Sequence, residues 1–186
     1  QGLYKTTWFN FLLPPELRCY FYTKTNSDRL NKDDLFSLTE FALICFEELD
    51  GMRPAELNQL KAMVTMPYVN ERAAYGRNKE RHPHIASFCG TGNNVQFLTD
   101  PTGNRRWLPF EVSQIRDPHL HAIPYELVYS QAYALWKSGF CHWFSQEEIR
   151  KLNMHNSRFE VPNLEEDLIR THFRKPFEGE AGIFVT

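Results

Sequence analysis

Phe41-Ala42-Leu43-Ile44-Cys45-Phe46-Glu47-Glu48 is the stretch on which the fold turns. An unbroken apolar run without polar alternation describes a strand covered on both faces, as in the parallel sheet of a layered α/β domain. The acidic pair follows at once. It therefore stands at the carboxyl end of a buried strand, where open α/β sheets bind their ligands.

Short helices and short apolar runs alternate on either side. Upstream, a helix is expected from Lys5 to about Leu13, stopped by Pro14-Pro15. A strand follows over Cys19 to Thr23, and Asn31 is placed to cap a helix through Asp33-Asp34-Leu35-Phe36. Downstream, Pro54 opens a helix reaching about Met63. The charged stretch from Tyr68 to His84 reads as a hairpin or long loop, with strands expected at Ile85 to Cys89 and Trp107 to Phe110. Beyond Pro118 to Pro124 the pattern turns helical. Tyr125 to Trp136 forms one helix, ended by Gly139; Ser145-Gln146-Glu147-Glu148 is a capping box opening a second; Leu164 to Phe173 forms a third. These readings divide the chain into a core over residues 1–115 and a helical C-terminal extension over 124–186.

Of the 186 residues, 42% are hydrophobic, enough for one sizeable core. A formal net charge of −2 excludes a globally basic nucleic-acid binder, so a nucleic-acid site has to be a local cluster. No apolar run approaches membrane-spanning length and no signal segment opens the chain. Cys19, Cys45, Cys89 and Cys141 have no paired spacing, and a reducing cytoplasm fits them. The chain begins at Gln1 with its first motif immediately behind, and ends on Gly182-Ile183-Phe184-Val185-Thr186, which reads as the entrance to another strand. A fragment of a longer protein is the expectation.

Gly2-Leu3-Tyr4-Lys5-Thr6-Thr7 has the form of the second half of a phosphate-binding P-loop. Such a loop needs backbone N–H groups facing the phosphates, a lysine for the terminal phosphates and a hydroxyl for magnesium. Gly2, Lys5, Thr6 and Thr7 are the candidate nucleotide-binding residues. Tyr4 stands where a glycine is expected, and glycine serves there by permitting unusual backbone angles. In the acidic pair, Glu47 is assigned with Thr6 to the metal and Glu48 to activation of the attacking water; Asp50 is a reserve for either role.

Further along come Arg72-Ala73-Ala74-Tyr75-Gly76-Arg77, Gly90-Thr91-Gly92-Asn93 and Asp100-Pro101-Thr102-Gly103-Asn104-Arg105-Arg106-Trp107. Together with Glu48-Leu49-Asp50-Gly51, this ordered set resembles the virulence-associated E family, whose ATPase is similar to superfamily-three helicases and to the helicase part of phage and plasmid primase–helicases. The resemblance covers most of residues 1–112. It implies a P-loop NTPase fold of AAA+ type, a parallel sheet whose first strand is missing from this chain. It also implies a helicase-like motor, hydrolysing ATP with Mg2+, in the replication of phages or mobile elements.

By the same resemblance Asn93 senses the terminal phosphate, and an amide can bond both a phosphate oxygen and the attacking water. Arg105 and Arg106 match the family's paired arginines, with the acting member, and action in cis or in trans, left open. The family's channel hairpin falls on Arg72, Arg77, Lys79 and Arg81, interspersed with Tyr75. Basic groups track phosphates and an aromatic offers a stacking surface. Glu71 and Glu80 dilute the cluster, so a solvated hairpin stands beside a nucleic-acid-binding one. Lys61 and Arg72 could instead face nucleotide across a subunit boundary. The expected partners are single-stranded or duplex DNA, further copies of the chain in a ring, and a primase-type domain. A nucleic-acid-binding or assembly module with impaired hydrolysis is the alternative. The aromatic stripe Tyr133, Trp136, Phe140, Trp143 and Phe144 reads as helix-on-sheet packing.

Overall fold

A computed structural model describes residues 4–25, 31–72, 77–100 and 104–173. The helices are α1 (Lys5–Phe11), α2 (Lys32–Glu40), α3 (Pro54–Val64), α4 (Tyr125–Lys137), α5 (Gln146–Asn156) and α6 (Leu164–His172). The strands are β1 (Phe21–Lys24), β2 (Leu43–Phe46), β3 (Tyr68–Glu71), β4 (Glu80–Pro83) and β5 (Ser87–Gly90). The fold is mixed α/β, with a parallel sheet ordered β1-β2-β5 and a separate antiparallel β3-β4 hairpin.

The apolar run around Ile44 is the centre of the sheet. Ile44, Cys45 and Phe46 are buried, and β2 pairs on both edges, with Phe46 opposite Lys24 and Gly90. Leu38, Leu49, Leu57, Leu60 and Val69 pack into the same core from α2, the turn after β2, α3 and the hairpin. The burial of Val69 is what docks the hairpin, since Tyr68, Asn70, Glu80 and Arg81 on the two strands are exposed. Pairing Val69 with His82 places Asn70 and Arg81 on the opposite, outward face.

Local chemistry sets the boundaries. Asn31 caps α2 by accepting from the amides of Asp33 and Asp34, while Asp34 returns a bond to the Asn31 amide. Asp34 also faces Lys24 at 2.8 Å, a buried ion pair that ties the carboxyl end of β1 to α2. Ser145 caps α5 as its capping box requires, and the hydrogen bond from Ser145 holds the Glu148 carboxyl below the usual carboxylate range. Gly139 closes α4 at φ +75°, a left-handed backbone that suits glycine.

Two expectations change. Trp107-Leu108-Pro109-Phe110 is irregular rather than a strand. Its backbone groups are taken locally: the Trp107 amide donates to Asn104, the Trp107 carbonyl accepts from Asn156, and the Pro109 carbonyl meets His155. Pro109 has no N–H to offer a ladder. The aromatic stripe does not pack on the sheet either. Trp136 is 73% and Trp143 67% exposed, and α4 buries none of its residues. The start of α4 is held instead by hydroxyls, Tyr125 donating to the Phe11 carbonyl at 2.6 Å and Tyr129 to Leu12 at 3.0 Å. The segment after α5 is tied to the region after β5: the amides of Phe97 and Leu98 both donate to the Phe159 carbonyl, and Val161 donates to Leu98.

Candidate functional site

The carboxyl ends of β1, β2 and β5 lie in register, and the residues leaving β2 and β5 form a cleft edge. Thr91 donates to the Phe46 carbonyl and accepts from the Leu49 amide, so the segments leaving both strands run side by side. Glu47 is half-buried, its amide fixed by the Lys24 carbonyl at 2.9 Å. The first turn of α1 comes to this edge from a distant part of the sequence. Thr6 Oγ1 donates to Glu47 Oε1 at 2.7 Å. Lys5 Nζ donates to the carbonyl oxygen of Gly92 and, at 3.2 Å, to Asn93 Oδ1. Lys5, Thr6, Glu47 and Asn93 thus converge from separate segments.

Two residues of this edge hold left-handed backbones without being glycine. Tyr4 has φ 50° immediately before Lys5, and Glu48 has φ 54° immediately after Glu47. The angle at Tyr4 is the one that a glycine would supply, so the tyrosine occupies the geometry rather than abolishing it. Glu48 is exposed and starts the tight turn Leu49–Gly51. Strain of this kind, of order 1–3 kcal/mol per residue, persists where surrounding contacts fix the backbone.

Asp50 has a different part from the reserve role its position suggested. Its Oδ1 accepts from the Asn93 amide at 3.2 Å and its Oδ2 from the Asn94 amide at 3.0 Å. A carboxylate with both oxygens engaged by the asparagine loop positions that loop. Gly92 gives it room: a Cβ there would lie 2.8 Å from Asp50 Oδ1. Nothing in the spacing of the sequence reveals this contact, because it joins loops from two strands.

Of the remaining candidates, Thr7 is half-buried in α1 with no side-chain partner among the described residues. Gly2, Tyr75 and Gly103 lie outside the described residues. Arg105 and Arg106 are exposed in a turn and make no ion pair among the described residues. The acids nearest to them in sequence are engaged elsewhere, Asp100 by Lys61 at 2.6 Å and Glu111 by Arg158 at 3.8 Å. Lys61 is buried in that pair and does not present its charge at a surface. Arg77, Lys79 and Arg81 are exposed on the hairpin, with the Arg81 guanidinium 3.6 Å from the centroid of the Tyr68 ring. Tyr68 is thus an aromatic on the basic face that the sequence reading did not single out.

The cysteines take no part in the site. Cys45 and Cys89 face each other across β2 and β5, and the hydrogen bond with Cys45, then burial, pushes the Cys89 thiol far up, away from the nucleophilic thiolate. His84 Nδ1 lies 2.6 Å from the Met66 carbonyl, an internal contact. No helix among the described residues is long and apolar enough to cross a membrane.

No curated protein matches the chain. The virulence-associated protein E-like domain matches residues 1–161, which takes in the sheet, the cleft edge, the hairpin, α4 and α5. On that match the chain belongs to the virulence-associated protein E-like domain family.

Proposed function

We propose that this chain carries the nucleotide site of a P-loop ATPase working as a helicase-like motor on nucleic acid, in the replication of phages or mobile elements. The convergence of Lys5 and Thr6 on Glu47 and Asn93 is the observation that carries the reading. An ammonium, a hydroxyl, a carboxylate and an amide within one cluster are the groups that phosphoryl transfer uses.

The donor set fits ATP and magnesium. A hydroxyl and a carboxylate oxygen 2.7 Å apart are hard oxygen donors of the kind Mg2+ takes. The partners of Lys5 are oxygens, which phosphate oxygens can replace. In this reading Lys5 moves from Asn93 to the terminal phosphates, Thr6 and Glu47 hold the metal, and Asn93 is freed to orient the γ-phosphate. Bound Mg2+ neutralises charge developing on the phosphate oxygens. Glu48, which follows Glu47 in the left-handed turn, takes the proton of the attacking water. Gly2 and Thr7 complete the phosphate cradle, and Arg105 and Arg106 stabilise the transferring phosphoryl group, in trans where copies assemble into a ring.

The hairpin supports a nucleic-acid contact. Arg77, Lys79 and Arg81 are exposed, and the Arg81–Tyr68 stack offers a flat cationic surface to a base. Single-stranded or duplex DNA is the partner, with a primase-type domain on the same or an accompanying chain. The facing thiols of Cys45 and Cys89 suit the reducing cytoplasm in which such a motor works.

ATP turnover by the protein carrying this chain, with and without single-stranded DNA, tests the reading. Hydrolysis is expected, lost in Lys5→Ala and in Glu48→Gln; normal turnover in both variants overturns the site. DNA binding without any turnover in the unaltered protein would favour an assembly module of the same fold.

A further inference from the structure

We infer that Asn156, at the end of α5, is a positioning residue for the Arg105–Arg106 pair. The inference rests on the reading that this pair meets phosphate. Asn156 is fully buried and far from the pair in sequence. Its Nδ2 donates to the Asn104 carbonyl at 2.9 Å and to the Trp107 carbonyl at 3.1 Å. Those carbonyls belong to the residues on either side of Arg105-Arg106. The Trp107 amide also donates to the Asn104 carbonyl at 2.9 Å, which closes the turn. One buried amide therefore clasps both ends of a two-residue turn, and both side chains of that turn are exposed and unpaired among the described residues.

The flanks of the turn are held by the same region. Asn104, itself buried, donates from Nδ2 to Glu160 Oε1 at 2.8 Å. The Phe159 carbonyl accepts from the amides of Phe97 and Leu98 upstream. Among the described residues the Oδ1 atoms of Asn104 and Asn156 have no hydrogen-bond partner. An apolar side chain would fill either place without stranding an oxygen, but would supply no N–H to the carbonyls. The donors of Asn156 account for an amide there. A turn fixed at both ends limits where the guanidinium groups can swing, and such restriction is what a charged group needs to meet a transition state without reorganisation.

A purely structural Asn156 would lower stability without coupling to the arginines, and a double-mutant cycle separates the cases. In the protein carrying this chain, Asn156→Ala should lower kcat for ATP about tenfold with KM changed less than about twofold. Added to Arg105→Ala/Arg106→Ala, it should slow turnover by no more than about a further twofold. Full, multiplicative loss in the combined protein overturns the inference, as does unchanged kcat in Asn156→Ala. Normal turnover in Arg105→Ala/Arg106→Ala would instead sink the reading of the pair, whatever Asn156 does.

Native-state trypsin cleavage supplies a readout independent of turnover. Cleavage after Arg105 and Arg106 should accelerate in Asn156→Ala relative to cleavage after Arg77 and Arg81 in the same sample. Equal acceleration at all sites, or none, overturns the inference. Should Asn156→Ala fail to fold, Asn156→Leu decides, since it fills the same space but has no N–H for the Asn104 and Trp107 carbonyls: selective cleavage at the turn supports the clasp and unchanged cleavage refutes it.

Discussion

Removing the Asp50 carboxylate should loosen the asparagine loop and cost a measurable share of stability. The carboxylate accepts from the Asn93 and Asn94 amides at 3.2 and 3.0 Å, and among the described residues no other acceptor takes both amides. Hydrogen bonds to a charged group contribute roughly 1.5–3 kcal/mol each when well shielded. These amides are exposed, so water competes for them and the pair together should give about 1–2 kcal/mol. For a domain of this size that shifts Tm by roughly 2–8 °C. Gly92→Ala attacks the same contact from the other side, since its Cβ would stand 2.8 Å from Asp50 Oδ1. Both variants should melt earlier by circular dichroism. Their effects should not add, because the methyl group has nothing to displace once Asp50 is alanine. Asp50→Ala melting with the unaltered protein, or Gly92→Ala costing as much in the Asp50→Ala background, would refute the reasoning.

Other expected outcomes follow from the same geometry. Lys24→Met strands Asp34 as a buried charge and should cost about 3–5 kcal/mol in urea unfolding, part of it restored by adding Asp34→Asn, which removes the charge and keeps an acceptor for the Asn31 amide; a smaller single effect contradicts the pairing. Tyr4→Gly should be neutral or stabilising by up to about 1 kcal/mol, while Tyr4→Val should lose at least about 1 kcal/mol, because only the first relieves the left-handed backbone. Equal effects of the two would argue against that strain. Lys79→Ala and Arg81→Ala should each weaken single-stranded DNA binding and lower its salt slope by about 0.7; unchanged binding curves reject the hairpin face.

The central strand was legible because its side chains are buried on both faces, which leaves an unbroken apolar run at Ile44-Cys45-Phe46. Asn31 and Ser145 were legible for a local reason, since a cap needs only its own next three residues. The strand expected at Trp107 fails because an apolar run says nothing of whether a neighbour is there to pair with it. Its carbonyl instead meets a side chain from α5. The stripe on α4 misleads similarly: amphipathic spacing marks an apolar face but not what covers it. In the candidate site, residue types pointed to Lys5, Thr6, Glu47 and Asn93 one at a time, and the fold brings them together. The hold of Asp50 on the asparagine loop, and the parts of Tyr68 and Asn156, escaped because they lie in contacts between segments that the sequence does not place together.

The most direct measurement of the central claim is the magnesium dependence of ATP binding by the protein carrying this chain, by calorimetry, for the unaltered protein, Lys5→Ala, Thr6→Ala and Glu47→Gln. Magnesium should tighten binding, an advantage lost in Thr6→Ala and Glu47→Gln, and binding should be lost altogether in Lys5→Ala. Affinity that ignores magnesium, or survives unchanged in all three variants, would contradict that claim.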